Sequence, residues 1–141
     1  MSEIKDHKGL EAWKVAMDAV METYELSGDF PKAEIYGLAS QMRRAAVSVP
    51  SNVAEGYVRG GRAEINQLSI ALGSIAELDT QLEVARRRAY VSSDRAAHLQ
   101  ELIVSTRRLV NGLRRARRLK LGISVVAPVG LLLLAFRLFA S

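Results

Sequence analysis

The chain has 141 residues, a formal net charge of +5, three prolines and no cysteine. That length holds one domain with a real hydrophobic core and is short for two, and the missing cysteines exclude disulfides and Cys-based zinc sites. Residues 1–100 carry 12 Lys/Arg against 14 Asp/Glu, whereas residues 101–141 carry 8 Lys/Arg against Glu101 alone, an asymmetry that points to nucleic acid or an anionic membrane surface as partner.

Met1 to Lys14 is polar and charged, with no apolar segment of the kind a signal peptide needs, so a cytoplasmic location is expected. A first helix is predicted from about Leu10 to Ser27, with Leu10, Trp13, Met17, Val20 and Tyr24 as its inward stripe. Gly28-Asp29-Phe30-Pro31 stops it. A second starts near Lys32 and repeats Ile35, Leu38, Met42, Ala45, Val49 and Val53 at the same spacing. Pro50 lies inside it and predicts a kink or a break; Gly56 and Gly60-Gly61 end it. The third runs from about Arg62 to Arg88, with Ile65, Leu68, Leu72, Ile75, Leu78, Leu82 and Ala85 inward. Tyr90-Val91-Ser92 makes the next turn, and Ser92 or Ser93 caps a fourth helix whose buried row reads Leu99, Leu102, Thr106, Leu109, Leu113 and Ala116. Four amphipathic helices with short connections predict an all-α, antiparallel, up-down-up-down four-helix bundle over residues 1–121.

Residues 122–141 form an apolar tail with Arg137 as its one charge. Leu121 to Ser141 is just long enough to span a bilayer, at about 20 residues, and Arg114 to Lys120 is a basic flank of the right kind. Pro128, Gly130 and Arg137 work against a membrane anchor, so packing of the tail on the bundle or between subunits is preferred.

Catalytic chemistry finds little support. A di-iron site in a bundle needs Glu-x-x-His pairs, yet His7 and His98 have Ile4 and Arg95 three residues before them; no metal and no cofactor are expected. Gly56 to Arg62 is glycine-rich and basic, but it lacks the Gly-Lys-Ser/Thr ending of a P-loop, and a plain helix–helix turn is preferred to phosphate contact. Ser48, Ser51 and Ser74 sit in no nucleophile elbow and read as capping groups, or as back-bonding groups near the Pro50 kink. Glu77, Asp79 and Glu83 read as surface charges, offset by Arg86 and Arg87. Trp13 and Tyr24 read as core, with base stacking the alternative. Gly73, which costs roughly 1 kcal/mol within a helix, implies a close helix approach within or between subunits.

The strongest signal is the fourth helix. With Arg107 at zero and about 100° per residue, Arg118 falls near 20°, Arg115 near 80°, Arg108 near 100°, Arg114 near 340° and Arg117 near 280°. Leu109, Leu113 and Ala116 fall between about 180° and 240°, so the arginines are expected on the face opposite the core. Guanidinium matches phosphate in a bidentate way, so Arg107, Arg108, Arg114, Arg115, Arg117 and Arg118 are the expected nucleic-acid-binding residues. Arg43, Arg44, Arg86, Arg87 and Arg88 are possible additions.

The run Tyr36-Gly37-Leu38-Ala39-Ser40-Gln41-Met42-Arg43-Arg44-Ala45-Ala46-Val47-Ser48-Val49-Pro50-Ser51-Asn52-Val53-Ala54-Glu55-Gly56, with Ile70 to Leu78 and Leu10-Glu11-Ala12-Trp13, resembles the four-helix bundle proteins encoded in intervening sequences of bacterial 23S ribosomal RNA genes. A related group is the accessory protein of diversity-generating retroelements. The resemblance spans about residues 8 to 120, and the tail departs from it. It implies a homopentameric, barrel-like assembly with a basic surface and no catalytic residues, and, from the retroelement relatives, binding to nucleic acid and a reverse transcriptase. Asn52 and Glu55 match its motif, share a helix face, and are expected to make inter-helix or inter-subunit hydrogen bonds. The function expected is a non-enzymatic, nucleic-acid-binding accessory oligomer; the alternative is a scaffold that docks an acidic protein.

Overall fold

The computed structural model describes residues 3–123. Four long helices make up the fold: α1 Glu11–Ser27, α2 Leu38–Arg59, α3 Gly61–Arg87 and α4 Ser93–Lys120. Each packs on its chain neighbours and α1 closes the square against α4. Side-chain contacts show each adjacent pair to be antiparallel. Arg43 bonds Ser27, and Tyr57 reaches back to Ile4; Ser48 meets Ser74, while Gly56 lies on Glu64 and Gln67. Between α3 and α4, Asp79 pairs with Arg107 and Glu64 with Arg117; at the α1–α4 seam Asp29 pairs with Arg95 and Glu22 approaches His98. This is the up-down-up-down bundle that the periodicity predicts.

The expected core of α3 is the observed one: Ile65, Leu68, Ile75, Leu78, Leu82 and Ala85 are buried, and Leu72 packs at its margin. The α1 stripe differs. Ala12, Ala16, Ala19, Val20, Thr23 and Leu26 face inward, Trp13 is half-buried against the His7 ring at 5.5 Å, and Tyr24 is 46% exposed. A row of alanines lets the neighbouring helices come close, which larger side chains would prevent. The buried Thr23 and Thr106 hydroxyls donate to Ala19 O and Leu102 O, each at 2.7 Å, so burying them leaves no donor unpaired.

The second helix begins later than its apolar repeat suggests. Lys32–Glu34 forms a single 3-10 turn, Ile35 is exposed, and the Glu34 carboxylate accepts from Leu38 N at 3.0 Å, capping α2. Pro50 does not break α2, which is helical on both sides of it. Ser51 and Asn52 donate from their side chains to Val47 O and Ser48 O, at 2.8 and 2.7 Å, back-bonding to the turn beside the proline. Gly56 does not end the helix either: it is buried, and a Cβ there would come within 3.1 Å of Gln67 Cβ and 3.3 Å of Glu64 Cα. It lets α2 and α3 touch. Their link is Gly60 alone, at φ +69°, followed by Gly61 at +58°, backbone that favours glycine. Ser92 caps α4 as expected, accepting from Arg95 N at 3.3 Å.

Asn52 also donates to Ser48 Oγ at 3.0 Å, and Ser48 Oγ is 2.8 Å from Ser74 Oγ. Asn52 thus bonds within its own helix, and the inter-helix bond expected of it is made by Ser48 instead. Glu55 instead pairs with Arg59 in its own helix at 3.1 Å. Gly73 is exposed, with nothing within 4 Å of a Cβ placed there, so among the described residues no close approach occurs at it. The readings of the apolar tail fall almost wholly on residues 124–141, outside the described residues. Among the described residues no helix is long and apolar enough to cross a membrane.

Candidate nucleic-acid interface

The core-facing row of α4 decides where the arginines point. Its buried residues are Ala96, Leu99, Ile103, Thr106 and Val110, whereas Leu102, Leu109 and Leu113 only pack at the margin. On the same wheel the core therefore lies near about 300° rather than the expected 180–240°. The helix carries two apolar rows that share Leu99 and Thr106, and the packed bundle buries the one that runs through Ile103 and Val110.

That rotation divides the six arginines. Arg117 now falls on the inward side, where its Nε donates to Glu64 at 3.0 Å. The Glu64 side chain is 6% exposed and that of Arg117 29%, so a buried carboxylate is met by a half-buried guanidinium. Arg107 turns toward α3 and donates to Asp79 Oδ2 at 2.8 Å. The expectation of six uncompensated arginines is corrected by these two carboxylates.

Four remain. Arg108 and Arg115 are exposed, Arg114 and Arg118 half-buried, and none has a carboxylate within 4.0 Å among the described residues. Arg114 donates to Ser69 Oγ at 3.2 Å and to Asn111 Oδ1 at 3.4 Å, which orient it without neutralising it. The Arg118 Nε is buried with no hydrogen-bond partner among the described residues. All four line one surface concavity of about 540 Å³, together with Asn111 and Gly112. Its lining concentrates four guanidinium charges around one volume, an arrangement suited to phosphate oxygens.

The further arginines fare differently. Arg86 and Arg87 both clamp Glu83, each Nε at 3.0 Å, and their hydrogen bonds hold the Glu83 carboxyl below its ordinary value. Arg88 donates to Tyr90 Oη at 3.3 Å, and that contact raises the arginine's own pKa. Arg43 donates to Ser27 and lies over the Tyr24 ring, its Cζ 4.9 Å from the centroid. The glycine-rich Gly60-Gly61 corner opens on a hollow that also holds Glu64, Arg117, Lys120 and Tyr57. Among the described residues no group of three or more His, Asp or Glu is placed to hold a metal ion.

Sequence reasoning missed Glu64 and Asp79 as arginine partners. The signal was present in Glu64, an acid at a position in phase with Leu68, Ala71 and Ile75, since such a residue is buried only when paired.

No curated protein matches the chain at a significant level. Residues 8–112 match the family described as 23S rRNA-intervening sequence protein, a span that takes in all of α1, α2 and α3 and most of α4. With well over half of its length matched and the four-helix architecture in place, the chain belongs to the 23S rRNA-intervening sequence protein family.

Proposed function

We propose that this protein is a non-enzymatic, cytoplasmic accessory protein that binds structured RNA or duplex DNA through the unpaired arginines of α4. The observation that carries the reading is the convergence of Arg108, Arg114, Arg115 and Arg118 on one concavity, with no carboxylate beside them among the described residues. Such a site grips the phosphate backbone and has little means of reading bases. No cofactor is required. Arg107 and Arg117 support the site by fixing α4 against α3.

Phosphate contacts release condensed counterions, so log affinity falls with log salt at roughly −0.9 per phosphate neutralised on a duplex. In a gel-shift titration at two salt concentrations, changing Arg108, Arg114, Arg115 and Arg118 together to Gln weakens binding and flattens that slope while helicity is kept. Unchanged binding refutes the reading and turns attention to an acidic protein as the occupant.

The assembly proposed is a homo-oligomer, five subunits in preference to two, with a reverse transcriptase as a protein partner and exposed Gly73 at a subunit contact. Light scattering on the chain ended after Lys120 tests it: a monomer at tens of micromolar removes the pentamer and the scaffold together.

A further inference from the structure

A second surface combines aromatic rings with arginine. Where α1 ends and α2 begins, a groove of about 540 Å³ is lined by Tyr24, Ile35, Tyr36, Arg43, Arg44 and Val47 among others, with no carboxylate in its lining. Tyr36 is 95% exposed, and Ile35, Tyr24 and Val47 are 48%, 46% and 39% exposed. The nearby Glu34 is already engaged: one oxygen accepts from Leu38 N and the other from Tyr90 Oη. Arg43 is held over the Tyr24 ring by its bond to Ser27, and Arg44 is exposed on the same helix.

We propose that this groove binds single-stranded nucleic acid, with a base stacked on Tyr36 and the flanking phosphates on Arg43 and Arg44. Exposed rings interleaved with arginines are the physical requirement for gripping unpaired strands: every base has a π-face, and the backbone needs positive charge alongside. A duplex hides its base faces, so it gains nothing from Tyr36. The groove is lined by α2, the turn before it and Tyr24 of α1, whereas the concavity is lined by α4 and leans toward α3 at Arg114–Ser69. The two surfaces share no residue and are separately testable. The inference rests on the nucleic-acid reading above and adds the unpaired strand as a distinct ligand class.

The experiment uses the full chain, a fluorescein-labelled oligo-dT, and a labelled duplex of mixed sequence, read by anisotropy. Tyr36→Ala with Arg44→Gln weakens oligo-dT binding about tenfold, within the range of one lost base stack, and leaves duplex binding unchanged. Tyr36→Phe keeps the ring and keeps oligo-dT binding. Arg108→Gln with Arg115→Gln does the reverse, lowering duplex affinity and sparing oligo-dT. Equal oligo-dT binding by wild type and the Tyr36/Arg44 variant overturns the groove while leaving the α4 reading intact. Duplex binding that is indifferent to Arg108 and Arg115 overturns the α4 reading instead. Loss of molar mass in light scattering on the Tyr36/Arg44 change also overturns the proposal, because a second copy of the chain then covers the groove.

Discussion

Arg117→Gln takes the cation away from Glu64, a carboxylate whose side chain keeps 6% of its surface exposed. The geometry is close: Arg117 Nε is 3.0 Å from each carboxylate oxygen. Removing one partner of a fully buried ion pair costs about 3–5 kcal/mol, most of it the desolvated charge left behind. Arg117 is 29% exposed, so water reaches one side of the pair and the cost drops to about 2–3 kcal/mol. With a urea slope of about 2 kcal/mol/M, as for a small domain, the unfolding midpoint falls by about 1 M. Arg115→Gln, on the exposed face, stays within about 0.5 kcal/mol of wild type. Urea titrations followed by circular dichroism compare the two, and a cycle with Glu64→Gln isolates the pair. If both variants unfold at the same midpoint, or if Glu64→Gln and Arg117→Gln add without coupling, Arg117 belongs to the surface cluster and the division of the arginines is wrong. The same variants separate function from folding: Arg115→Gln lowers nucleic-acid affinity at full stability, whereas Arg117→Gln lowers stability first and reaches affinity only through the hold of α4 on α3.

Gly56→Ala brings a methyl to within 3.1 Å of Gln67 Cβ and 3.3 Å of Glu64 Cα. An overpacking cost of about 1–3 kcal/mol, less the roughly 0.5–1 kcal/mol that Ala gains over Gly in a helix, leaves a lower thermal midpoint, and a raised one shows that α3 yields at this contact. Gly73→Ala, in open space, raises stability by about 0.5–1 kcal/mol; loss of oligomer in light scattering on that change marks position 73 as a subunit contact. Glu83 is held below its ordinary 4.5, first by its hydrogen bond from Arg87 and then by that from Arg86. Its folded value is depressed, so its contribution is complete above the unfolded value and is lost as pH falls through the folded one. Glu83→Gln therefore flattens the acid side of a thermal-midpoint profile below about pH 4.5, and an unaltered profile rejects the clamp.

The α3 core was legible because its apolar residues form one row, from Ile65 and Leu68 to Ile75, Leu78 and Leu82, and the exposed Ile70 and Val84 are too isolated to make a second. The same holds for the Ser92 cap and the stop after Ser27, where local chemistry alone decides. The family motif around Pro50 and the charge of the C-terminal part were equally open to reading. In α1 and α4 the periodicity admits two rows. Whether Ala16 or Met17, and whether Val110 or Leu109, faces inward depends on how closely the neighbouring helices approach, which no single helix encodes. Burial of Val110 in α4 turns the arginines with it. Arg107 and Arg117 then meet Asp79 and Glu64, 28 and 53 positions away in the chain. The sequence alone determined that the chain makes four amphipathic helices and gathers arginine at its end; only tertiary packing decided which arginines are neutralised, because a charge is quenched by what lies across the helix seam and not by what lies beside it in the chain.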